Sequence, residues 1–198
     1  MEKEIKLEYG GIAQSIAPMG IVMACFSLVY SIWFGFAWGE IGWLVFTVII
    51  LCNFYIVVKS IKNIQHANQF EAHETADGLR ITKQMGILSG TSYSVIWILV
   101  FILFFSKQER IIFPMVTLII GLHFLPQAKI MRRKIDYFVA PFPIFSAGLA
   151  LYLAFNSDIN WIFLGAVAGI GGSIATTIYG FYLLAVYKKI ANKFNIPY

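Results

Sequence analysis

The chain has 198 residues, of which 59% are hydrophobic and only 13% charged, and its mean hydropathy is +0.75. Water-soluble domains carry roughly 25% charged residues, so an ordinary soluble domain is excluded. The net charge of +5 sits in short loops and tails, which assigns it to topology and to anionic lipid headgroups and argues against nucleic acid as a partner.

The N-terminal arm, MEKEIKLE, carries Lys3 and Lys6 and leads into a charge-free run over 10–39. That run is too long, and its leader too acidic, for a cleaved signal peptide. Charge-free runs recur at 41–58, 85–105, 111–128, 137–157 and 159–187. Each approaches or exceeds the ~20 residues a helix needs to cross a ~30 Å hydrocarbon layer, and none shows strand alternation. The expected fold is an all-α, polytopic membrane protein with one six-helix transmembrane domain over 1–198. Its spans lie at about 12–37, 41–58, 86–105, 111–127, 138–155 and 161–186, with an inner loop at 59–84.

All but two of the 15 Lys and Arg residues fall on the side that carries both termini; Lys107 and Arg110 are alone opposite. Basic residues stay in the cytoplasm, so both ends are expected inside and the localisation is the cell membrane. Trp38, Trp43 and Trp161 then mark the outer interface, and Tyr9, Tyr137 and Tyr187 the inner one. The external loops WGEIG, SKQER and NSDIN leave no room for an outer lobe. Cys25 and Cys52 fall inside spans and read as reduced, apolar packing residues.

Small residues permit close helix approach in lipid. Span 1 bears such a stripe at Ala17, Gly20, Ala24, Ser27, Ser31 and Gly35, and span 6 at Gly165, Gly169, Gly172, Ser173, Thr176 and Gly180. Gly86, Gly90 and Ser94 begin a third in span 3. The stripes suit packing within the chain first, and they also permit a partner helix or a second copy.

Polar side chains at membrane depth are costly and default to a functional reading. Gln14, Ser15, Asn53, Ser92, Tyr93, His123 and Thr176 all fall in the inner half of their spans, which predicts a polar vestibule open to the cytoplasm. The expected ligand-binding set is His123, Asn53, Tyr93, Ser92 and Thr176. Two readings of His123 stand: an imidazole bonded across helices, or a ligand- or proton-binding group. Pro126 removes a helix bond and crowds the carbonyl of Leu122, so a kink is expected beside it. In the inner loop, continuation of span 2 as a helix would align His66, Phe70, His73 and Asp77, flanked by Glu71 and Glu74, with Asp77-Gly78 as the helix stop. His66 and His73 would then stand two turns apart, too far to share one ion.

No metal site, cofactor or catalytic residue is expected, because the predicted spans hold no Asp, Glu, Lys or Arg and no nucleophile with an acid-backed base. The chain therefore reads as a non-enzyme that binds or transports a small solute. The alternatives are a non-catalytic partner subunit of assembly or immunity type and, third, a lipid-modifying enzyme. The GLHFLP motif at 121–126, followed by the basic run KIMRRK, resembles a motif of small six-span bacterial membrane proteins, a likeness that carries no activity. Size, topology and the Ala13-x-x-x-Ala17 spacing also resemble the substrate-binding subunits of energy-coupling transporters, which implies solute binding.

Overall fold

The computed structural model describes residues 2–73 and 75–198, with side chains from position 6 onward. Glu74, expected beside His73, and the side chain of Lys3 lie outside the described residues. The described residues form eight α-helices: α1 (Glu2–Ile16), α2 (Met19–Ser31), α3 (Trp33–Ala67), α4 (Ala76–Phe105), α5 (Ile112–Met131), α6 (Lys134–Val139), α7 (Pro141–Asn156) and α8 (Trp161–Lys193). A 3₁₀ turn at Glu109–Ile111 precedes α5. Six helical segments are long and apolar enough to cross a membrane.

The first reversal shows how sequence sets the path. Ile32 keeps right-handed helical angles, so α2 runs on into the start of α3. The break comes at Gly39, where φ is +59° and ψ −133°, a conformation open to glycine and costly for any residue with a Cβ. A Cβ on Gly42 would strike the carbonyl of Phe34, and one on Gly35 the ring of Trp43. Residues eight apart touch, so the chain folds back here as a tight helical hairpin. A second break, at Ala17 and Pro18, separates α1 from α2.

Helix α8 is the axis of the bundle, packed against α2, α3 and α7. Both small-residue stripes expected for spans 1 and 6 are buried. Gly169 faces the backbone of Tyr30 in α2, Gly171 the backbone of Phe142 in α7, and Gly180 the side chain of Ile56 in α3. Gly20 faces Ser60 of α3. The stripes are thus consumed within the chain.

Helix α4 is different. Among the described residues its backbone runs close to α5 and the 3₁₀ turn and not to α1, α2, α3 or α8. Ile96 is its one buried residue. Gly86 and Gly90 face open space, so the packing stripe expected there meets no neighbour among the described residues.

Two aromatic expectations also change. Tyr9 and Tyr187 are buried core residues, not interfacial anchors, because the end of the bundle that holds both termini closes over them. Tyr9 Oη donates to Tyr187 Oη at 3.4 Å, His66 Nδ1 lies 2.8 Å from Tyr187 Oη, and Tyr198 Oη donates to Asn63 Oδ1 at 2.6 Å. Tyr137, Trp43 and Trp161 are exposed. The cysteines are free; Cys25 is exposed rather than packed.

Candidate functional site

The loop after α3 does not continue as the expected helix. It leaves helical geometry after Ala67 and restarts at Ala76, with Thr75 as N-cap accepting from the Gly78 amide at 3.1 Å. Asp77-Gly78 therefore opens α4 instead of stopping α3; a Thr cap with an acidic first turn favours a helix start. The intervening loop lies across α1. Gln14 Nε2 donates to the carbonyl of Phe70 at 2.7 Å, the His73 amide donates to the carbonyl of Leu7 at 3.3 Å, and Gly10 and Gly11 let Glu71 and His73 come close. His66 and His73 thus part company. His66 joins the Tyr187 cluster, with Nε2 2.9 Å from the carbonyl of Pro197, while His73 faces a cavity.

That cavity holds about 880 Å³ and lies at the termini end, between α1 and α2 on one side and α4 on the other, with α5 and α8 behind. Its polar wall includes Glu8, His73, Asp77, Gln127, Arg133 and Tyr179. Its apolar wall is rich in methionine: Met19, Met23, Met85 and Met131. Methionine is flexible and polarisable and adapts to irregular apolar ligands.

Behind the polar wall is a network absent from the sequence expectation. Asp136 of α6 is completely buried. Gln127 Nε2 donates to Asp136 Oδ1 at 2.6 Å and to Tyr179 Oη at 3.2 Å. Arg133 Nη1 donates to the same phenol at 3.3 Å. Asp136 Oδ2 has no hydrogen-bond partner among the described residues. An amide, a phenol, a guanidinium and a carboxylate thus converge where α5, α6 and α8 meet, beside the cavity. No family model, no curated protein and no solved structure matches this chain.

None of the five expected ligand-binding residues lines this cavity. His123 is half-buried and bonds through Nδ1 to Ser92 Oγ at 2.9 Å, so the structure brings these two together. Tyr93, in α4, is 43% exposed. Thr176 is buried and donates to the carbonyl of Gly172 in its own helix at 2.8 Å. Asn53 is buried in α3 with neither amide atom bonded among the described residues.

The motif GLHFLP resolves into three contacts. A Cβ on Gly121 would meet Ile144 of α7 at 2.8 Å, His123 reaches α4, and Phe124 packs 6.0 Å from the Tyr179 ring of α8. Helix α5 passes through Pro126 without a non-helical residue and ends at Arg132 in left-handed geometry. The proline thus lies inside the helix, and the helix ends six residues beyond it. Among the long helices the backbone of α4 comes close to α5 alone in the described residues, so the Ser92–His123 bond acts as a tether. Ser92→Ala is expected to cost about 1 kcal/mol and to raise protease cleavage in the loop before α4, read by limited proteolysis in detergent.

Proposed function

We propose that this chain is a membrane protein that binds or moves a small amphipathic solute through the cavity at its termini end. The observation that carries this reading is the cavity itself. It joins a methionine-rich wall to a few convergent polar groups, the usual make-up of a ligand site. The concentration of Lys and Arg at that end supports a cytoplasmic position by the positive-inside rule. His123 and Ser92 then serve as a tether outside the binding wall, and Gln127, Arg133 and Tyr179 orient the ligand.

Native mass spectrometry of the protein, gently extracted from its membrane, tests this. A reproducible small adduct is expected. Ser15→Trp and Thr82→Trp, at exposed positions on opposite walls, should each lower its occupancy about tenfold, a change of ~1.4 kcal/mol, at unchanged helix content. A bare protein, or an adduct indifferent to both substitutions, would sink the proposal.

The uncovered apolar surface of α4 favours a second reading, a partner subunit that receives another membrane helix there. A stoichiometric second polypeptide that survives extraction and is lost on Trp97→Glu would decide for it.

A further inference from the structure

The cavity has an unusual boundary. Its walls come from α1 and α2 on one side and α4 on the other, yet α4 does not pack against either. The loop before α4 lies against α1 at the termini end. The backbones of α2 and α4 therefore stay apart along this flank of the cavity and leave a slot between them. Met19, on the α2 side, is 40% exposed, and Thr82, on the α4 side, is also exposed, as expected for two lips that do not meet.

Resting on the ligand-binding reading above, we propose that the ligand is an anionic phospholipid that enters sideways through this slot. Its phosphate sits on Arg133 and its acyl chain runs along Met23 and Met85. Three features support the assignment. The slot opens to lipid, the methionine wall suits a flexible chain, and the polar wall lies at the end where the basic residues gather, the depth of a headgroup. Arg133 spends one nitrogen on Tyr179, and a guanidinium has further donors in a fork that matches phosphate oxygens. Of the carboxylates at the mouth, Asp77 is engaged by Arg80 at 2.6 Å and Arg132 at 3.8 Å, so its charge is compensated. Glu8 stands across the cavity on α1.

The test uses the full chain in phosphatidylcholine vesicles containing a photoactivatable phosphatidylglycerol with a diazirine in its acyl chain. Labelling is expected to concentrate on the segments holding Met19, Met23 and Met85, and to fall about tenfold in Arg133→Gln. Thr82→Trp, which blocks the slot without touching the guanidinium, should give the same loss and stands in if Arg133→Gln fails to fold. Labelling spread over Phe101 and Phe105 and indifferent to both variants would mean ordinary solvating lipid and overturn the assignment. Protection by millimolar inorganic phosphate would point to a soluble phosphate compound and also overturn it, leaving the cavity reading intact. A different adduct, lost in Ser15→Trp but unrelated to phosphatidylglycerol, would do likewise.

Discussion

Gly171→Ala is expected to lose roughly 2–3 kcal/mol of stability, a large effect for one methyl group. The added Cβ would collide with the carbonyl of Phe142 and with Ser146 Oγ. Ser146 Oγ already donates to the carbonyl of Ala168 at 2.9 Å, and the Phe142 carbonyl lies directly against Gly171. A clash with a flexible side chain relaxes by a rotamer change; a clash with a carbonyl requires α7 and α8 to separate. Separation would also strip contacts from Ala147 and Ala150, both completely buried. Gly90→Ala provides the control, because a Cβ there meets nothing within 4 Å, and alanine favours a helix by up to ~1 kcal/mol over glycine. The measurement is the unfolding midpoint in mixed detergent micelles. Equal midpoints for the two variants would show that α7 and α8 do not approach as closely as described.

That pair of glycines also shows what the sequence reveals and what it hides. The six long apolar segments were legible because lipid imposes a length and forbids charge. The hairpin at Gly39 was legible as the gap beside Glu40. The stripes in α2 and α8 were legible because small residues at spacings of three and four recur on one face. Gly86 and Gly90 carry the same signal and pack against nothing. In water a buried face is apolar and an exposed face polar, so pattern distinguishes them; in lipid both faces are apolar, and composition loses that power. The isolation of α4 could not be read for the same reason.

The site was less legible than the fold. Depth along each span gathered His123, Ser92 and Asn53 into one half of the membrane, but depth does not give azimuth, and the cavity is lined by other faces. Pro126 signals a missing helix bond, yet α5 runs on for five residues past it. Tyr9 and Tyr187 have the amphipathic character of interface anchors, and only their tertiary neighbours place them in the core. Asp136 was missed because it follows Arg132, Arg133 and Lys134 and reads as one more loop charge. One available signal was its place directly before an apolar span, where a lone acid among cations has partners at hand.

Asp136→Ala is expected to cost about 3 kcal/mol, the lower part of the range for breaking a buried, bonded charge. The side chain is completely buried and receives the 2.6 Å bond from Gln127. Its removal leaves that amide one acceptor short beside the Arg133 guanidinium. Asp136→Asn keeps an acceptor for Gln127 and removes only the charge, so a smaller loss of about 1 kcal/mol is expected. The pair of values separates hydrogen bonding from electrostatics. Adding Arg133→Gln to Asp136→Ala should then be markedly less harmful than the sum of the single changes, with a coupling of at least ~1 kcal/mol, because the guanidinium no longer faces an emptied counter-charge. Additive losses would mean that acid and guanidinium do not act as a unit. Arg133 would then carry its full charge into the cavity, and Asp136 would answer to Gln127 alone. Coupled losses would mean instead that α6 holds Arg133 in place for the cavity from behind, through a carboxylate that never lines the cavity itself.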